Sequence, residues 1–238
     1  MRWLLLLPVV FCAAAPTASV RIAPVVAAPV VTASVAKTDP PKTHDDTITI
    51  RNASRSYGFV IHKSEAGVHV DVDDKSGTKL QTISLDEIAI RRDDSGAVLV
   101  DSADLYEDQG TIDVGDFDFD GREDFAIQVN QDGPYGGPTF AVYLQNANGL
   151  FEESDELSEL TRTTLGLFQV DPQRRLLVTM AKSGCCYHET EEHEVHGGKP
   201  VVVHRLIEDA MSDDQWVVTT EEALVRGKWT KHVTHVPQ

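Results

Sequence analysis

The segment Asp116-Phe117-Asp118-Phe119-Asp120-Gly121-Arg122-Glu123-Asp124 constrains the fold more than any other stretch of the chain. It places carboxylates at its first, third, fifth and ninth positions and a glycine at the sixth, where a sharp turn is easiest without a Cβ. Calcium takes about six to eight oxygens, and calcium loops draw them from positions 1, 3, 5, 7 (a backbone carbonyl) and 9. Four anionic groups on so short a loop repel one another strongly unless a cation sits among them. The expected ligands of Ca2+ are therefore Asp116, Asp118, Asp120, the carbonyl of Arg122, and Asp124. The competing reading is an acidic turn that binds nothing.

An EF-hand would need flanking helices and a bidentate Glu at the twelfth position, which here is Ile127. The flanks are instead β-rich: Thr111-Ile112-Asp113-Val114-Gly115 before the loop, and Phe125-Ala126-Ile127-Gln128-Val129 after it. The unit is thus strand–calcium loop–strand, with Asp113 or water as candidates for a further ligand. A second acidic stretch, Asp71-Val72-Asp73-Asp74-Lys75-Ser76, lacks the third carboxylate and the glycine, so no repeat array is expected.

Short β-like runs recur at 47–51, 57–62, 68–72, 80–85, 111–117, 125–129, 139–144, 165–170, 176–180, 187–195, 201–206, 216–220 and 229–236. Turn signals such as Ser76-Gly77, Ser95-Gly96, Asn148-Gly149 and Gly197-Gly198 separate many of them. Helical patterns are confined to Ser154–Leu160 and Glu208–Asp213. This spacing predicts an all-β domain over residues 45–238, propeller-like or built of small stacked antiparallel sheets.

The start of the chain reads differently. Arg2, the apolar run 4–11 and the small residues Cys12-Ala13-Ala14-Ala15 form an export signal over residues 1–15. Its apolar run is too short to cross a membrane as a helix, which takes about 20 residues. The expected location is the bacterial periplasm or beyond. Membrane attachment would require lipidation of Cys12, and the bulky Phe11 before it makes a poor acylation signal. Residues 16–44 are rich in Ala, Val and Pro and read as a semi-extended tether.

Downstream of the acidic loop, Gly133-Pro134-Tyr135-Gly136-Gly137-Pro138-Thr139 joins two β-runs. Gly133, Tyr135, Gly136, Gly137 and Thr139 are candidate partner-binding residues, because an aromatic with a polar tip on a rigid loop makes a good protein anchor. Equally, the loop would be a structural turn whose tyrosine covers the calcium hairpin.

Once an export signal is removed, Cys185 and Cys186 are the remaining cysteines, and in an oxidising compartment each has only the other as an intrachain partner. Adjacent α-carbons lie about 3.8 Å apart, closer than usual for a disulfide, so the expected product is a covalently locked turn. Intermolecular bonding and a thiolate–imidazole metal site with His188, His193 and His196 are the alternatives. The metal reading suffers because neighbouring strand residues point to opposite faces. The same histidines would serve a hydrolase, yet no nucleophile turn accompanies them, and the chain is read as a non-enzyme.

A formal charge of −17, from 21 Lys and Arg against 38 Asp and Glu, argues against nucleic acid, whose phosphates demand cationic side chains. It favours calcium and a basic protein partner.

Three segments together carry a resemblance: the acidic loop Asp116–Asp124, Gly133–Thr139 leading into Val142-Tyr143-Leu144, and Ser183-Gly184-Cys185-Cys186-Tyr187-His188. The loop alone resembles those of integrin-type and adhesin-type β-propeller modules. Together the three are similar to a family of bacterial periplasmic proteins. That family includes immunity proteins that inhibit lysozyme-like peptidoglycan hydrolases delivered by the bacteria-killing type IV secretion system of Xanthomonas-like bacteria. The resemblance spans roughly residues 100–205. It implies an all-β, propeller-like fold, a structural Ca2+ held by the loop's ligands, and inhibition by binding in the hydrolase cleft, with Gly133–Thr139 as candidate contact loop. A calcium-dependent adhesion or surface-scaffold module that inhibits nothing is the alternative.

Overall fold

The computed structural model describes residues 46–103 and 109–237; the expected signal at 1–15, Cys12 and the tether at 16–44 lie outside them. The described residues form three antiparallel sheets, none closed into a barrel. The first is a meander of β1 (Asp46–Ile50), β2 (Tyr57–Ser64), β3 (Gly67–Asp74) and β4 (Lys79–Leu85). The second contains β5 (Ile112–Gly115), β6 (Asp124–Asn130), β7 (Thr139–Gln145) and β8 (Phe151–Glu153). After helix α1 (Asp155–Thr163) comes the third, with β9 (Gln169–Asp171), β10 (Leu176–Ser183), β11 (Tyr187–His196), β12 (Lys199–Asp209), β13 (Trp216–Val225) and β14 (Lys228–Pro237). The all-β expectation holds in its stacked-sheet form. No helix of the described residues is long and apolar enough to cross a membrane.

The second sheet lies between two cores, and its sequence shows why. Alternate residues of a strand face opposite sides, and β6 and β7 are apolar on both. Phe125, Ile127, Ala141 and Tyr143 join Phe59, Ile61, Val70, Val72 and Ile83 of the first sheet in one cluster. Ala126, Phe140 and Val142 turn the other way, onto Leu157 of α1, Leu167, Phe168 and Leu177. Strands buried on both faces read as continuous apolar runs, and Phe125-Ala126-Ile127 and Phe140-Ala141-Val142-Tyr143 are such runs.

Helix α1 begins where Ser154 caps it, its Oγ accepting from Leu157 N at 3.3 Å. Two hydroxyls on its buried face satisfy β7: Ser158 Oγ accepts from Val142 N, and Thr161 Oγ1 accepts from Phe140 N, each at 2.9 Å. The expected helix at 208–213 is absent. β12 continues through Asp209, whose Oδ1 then accepts from Met211 N at 2.7 Å and Ser212 N at 3.1 Å, closing a turn. The run 165–170 is strand only from Gln169. Before it, the side chain of Gln109 stands in for a neighbouring strand, accepting from Leu167 N at 2.8 Å and donating to Leu167 O at 3.1 Å.

The outer half of the third sheet has no apolar core. No residue of β14 is buried, and a charge ladder crosses the strands instead. Arg205 reaches Glu189 at 2.9 Å and Glu191 at 2.6 Å on β11 and Glu222 at 3.3 Å on β13, and Lys231 of β14 meets Glu222 at 3.1 Å.

Candidate functional site

The acidic loop connects β5 to β6, and its alternating sequence is used on two sides. Phe117 and Phe119 are buried in the second core, Phe117 edge-on to Phe168 with centroids 5.3 Å apart. Asp116, Asp118 and Asp120 alternate with them, and one carboxylate oxygen from each lies within 4.8 Å of the others. Backbone donors shape the turn: Asp120 N donates to Asp116 Oδ1 at 2.9 Å, Gly121 N to Asp116 Oδ2 at 2.9 Å, and Arg122 N to Asp120 Oδ1 at 2.9 Å. Gly115 is required just before the loop, since a Cβ there would lie 2.6 Å from the ring of Phe117.

Asp124 stands apart from the three clustered carboxylates. It is almost fully buried, with Oδ2 accepting from Phe117 N at 2.8 Å and Oδ1 from Gln145 N at 2.9 Å. Burial pushes its pKa up to about 7, helped by the charges of Asp118 and Asp116 and opposed by those two N–H donors. Asp118 is raised for the same reasons, burial first and then Asp116, with Arg122 pulling the other way. The Arg122 guanidinium pairs with Asp120, and its Nε donates to Gln145 O at 2.8 Å. Asp113 is not part of the cluster either: its carboxyl packs against Gly110, where a Cβ would come within 3.1 Å of Oδ2.

Glu123, which the loop pattern leaves without a role, anchors the loop to the first sheet. Its carboxylate accepts from Ser54 Oγ at 3.2 Å, Arg55 N at 3.2 Å and Ser56 N at 3.0 Å. Arg175 covers the loop from the other side, stacked 5.5 Å from the Phe119 ring and donating to Phe119 O. The Asp-Phe alternation was the available signal for the two phenylalanines; nothing local marks Glu123 or Arg175.

The Gly133–Thr139 segment lies at the opposite end of β6. Seven residues of strand separate the two loops, about 20 Å at the usual rise. Tyr135 therefore does not cover the acidic hairpin. It stands 64% exposed at the crest of a tight loop closed by Gly133 N to Gly137 O at 3.1 Å and Gly137 N to Pro134 O at 3.0 Å. A side chain at Gly133 would be crowded, because a Cβ would meet Gly137 O at 3.1 Å and Thr139 Cγ2 at 3.2 Å. Thr139 Oγ1 donates to Asp132 Oδ1 at 3.0 Å at the base. Gly136 takes a positive φ beside Tyr135, whose own φ is +59°.

Cys185 and Cys186 are disulfide-bonded to each other in the turn between β10 and β11. With the thiols joined, they do not serve as metal thiolates. The histidines do not converge: His193 is buried with Nε2 3.0 Å from Thr179 Oγ1 and its pKa lowered by burial, whereas His188 and His196 sit near opposite ends of β11. The cysteine turn does meet the glycine-rich loop. Gly184 N donates to Tyr135 Oη at 2.6 Å, and Lys182 Nζ lies 4.8 Å from the centre of the Tyr135 ring. Two of the three singled-out segments thus form one surface, and the acidic loop lies elsewhere.

No protein-family model matches the chain, and no curated protein matches it. Among solved structures, it is similar to a Xanthomonas protein described as related to the type IV secretion system. The TM-score is 0.61 and the identity 21%, over 83% of this chain and 97% of that one, a likeness of fold.

Proposed function

We propose that the protein is a periplasmic, calcium-stabilised immunity protein that binds and inhibits a lysozyme-like peptidoglycan hydrolase, using Tyr135 and its supporting loop as the contact. The observation that carries this reading is the exposure of Tyr135 on a loop that holds it from both sides. A large aromatic ring is displayed to solvent while its hydroxyl is tied to Gly184 N and its face lies against Lys182. Such an anchor has little conformational freedom left to lose on binding. Likeness of fold to a protein related to a type IV secretion system supports the same reading, as does a net charge suited to a basic partner.

Calcium fits the acidic loop through three clustered carboxylates and a glycine turn. Asp116, Asp118 and Asp120 would hold it, with the Arg122 carbonyl, and Asp124 would act by fixing the loop's backbone. Its part is to keep this end of β5 and β6 together. About 20 Å of β6 separates it from the glycine-rich loop, so on this reading it acts as a stabiliser of the sheet.

Purified protein mixed with lysozyme-type hydrolases from bacteria that use type IV secretion should block cell-wall lysis at near-equimolar ratio. Tyr135→Ala should abolish the block while leaving the fold intact. Absence of both inhibition and complex formation across the panel would refute the reading and favour an adhesion module.

A further inference from the structure

The disulfide turn meets Tyr135 through Gly184 N, which donates to the tyrosine hydroxyl at 2.6 Å. We propose that opening the Cys185–Cys186 bond with a dithiol reductant releases the tyrosine, placing contacts made through the glycine-rich loop under redox control. The link to partner binding rests on the inhibitor reading above, whereas the structural link stands without it.

The turn between β10 and β11 consists of Gly184, Cys185 and Cys186, since Ser183 pairs directly with Tyr187. A bond between adjacent cysteines closes a small ring around their shared peptide group and restricts the backbone on both sides of it. In a turn this short, ring and glycine set the path, with Gly184 at a φ of +64°. The turn is further held by Ala210 N donating to Cys186 O at 2.8 Å. Its path aims Gly184 N at Tyr135 Oη. Tyr135 itself has a positive φ, unfavourable for a bulky residue, so it depends on outside contacts to stay there. The bond is also accessible: Ser183, Gly184 and Cys185 are exposed and Cys186 is half-buried.

The exchange balances without any other reactant. A thiolate of the dithiol attacks one sulfur, the Cys185–Cys186 bond breaks, and a mixed disulfide forms. The reductant's second thiolate closes its own disulfide and releases the other cysteine. Two electrons pass from reductant to protein, and two protons end on the cysteine sulfurs. The β10–β11 ladder from Leu177↔His193 to Ser183↔Tyr187 remains, so the turn loosens while the hairpin persists.

The test compares oxidised and dithiothreitol-reduced full-length protein labelled with 3-fluorotyrosine, the Tyr135 fluorine signal being assigned with Tyr135→Phe. Alkylation and mass spectrometry report the thiols of Cys185 and Cys186. Reduction should move the Tyr135 signal and sharpen it, with little change in the circular dichroism spectrum, and reoxidation should reverse this. Hydrolase inhibition should weaken by roughly 3- to 10-fold, the range of one lost hydrogen bond, and Tyr135→Phe should be much less sensitive to reductant. Cys185→Ser with Cys186→Ser should reproduce the reduced signal. An unmoved Tyr135 signal with both thiols alkylated would overturn the proposal. A moved signal in a protein that inhibits no hydrolase would sustain the structural link and overturn the inhibitor reading instead.

Discussion

Asp124 Oδ1 accepts a hydrogen bond from the backbone N–H of Gln145 at 2.9 Å, while its Oδ2 takes that of Phe117 at 2.8 Å. The ninth position of the acidic loop thus joins the start of the loop to the end of β7, in a site almost closed to water. Asp124→Ala would leave both N–H groups without their acceptor, at about 1–3 kcal/mol for each buried donor. We expect a loss of about 2–5 kcal/mol in urea unfolding, with or without calcium. Asp124→Asn keeps one acceptor and sets a donor against the other N–H, and should fall in between. A loss seen only in the presence of calcium would mean that Asp124 acts as a ligand.

Asp118→Ala tests the cation itself. The side chain accepts from Asp120 N at 3.2 Å and lies among the neighbouring carboxylates, with Arg122 and Arg175 close enough to favour its charge. Removing it should cost little in chelator and should abolish the stabilisation that calcium gives to the parent chain. For a ligand bound only by the folded state, that stabilisation is about 2.7 kcal/mol at a concentration roughly a hundred times Kd. Identical melting of parent and variant in calcium and in chelator would rule out the site.

Much of this was legible from the chain, for identifiable reasons. The runs that became β6 and β7 stood out as β-rich, although their burial on both faces was not read from them, and Ser154 marked the start of α1. Glu208–Asp213 read as helical because its composition permits a helix, but the strand before it continued and Asp209 capped a turn. Leu167 and Phe168 read as strand because they are apolar, while the backbone partner of Leu167 is a side chain 58 residues away. The meeting of Tyr135 with Gly184 spans 49 residues. No local pattern encodes such a contact; it follows from how the second and third sheets stack.

The pH dependence of stability should carry the signature of Asp113. Burial pushes its pKa from 3.8 up to about 7, the charge of Asp101 adds to the shift, and the N–H groups of Ser102 and Gly110 oppose it without reaching full hydrogen-bonding geometry. A carboxyl whose folded pKa is raised stabilises the fold while protonated and loses that contribution as pH rises through the folded value. Stability in chelator should therefore fall from about pH 4 to above pH 7, Asp124 contributing with the same sign. Asp113→Asn should match the parent near pH 4 and exceed it at pH 8. Parallel stability curves for the two proteins would show that Asp113 keeps an ordinary pKa.

Arg205 governs the outer strands. It is the cation shared by Glu189 and Glu191 of β11 and Glu222 of β13, and Glu222 passes the ladder on to Lys231 of β14. The pairs are partly exposed, so each is worth little alone, yet they cross strands that have few buried apolar side chains. Arg205→Met keeps most of the stem's volume and leaves three carboxylates close together. Hydrogen exchange in β13 and β14 should quicken several-fold, while the two cores on either side of the second sheet keep their protection and global stability drops by only about 1 kcal/mol. Added salt should narrow the difference, because like charges at partly exposed positions are screened. Equal quickening throughout the chain would instead make the ladder part of the global folding unit.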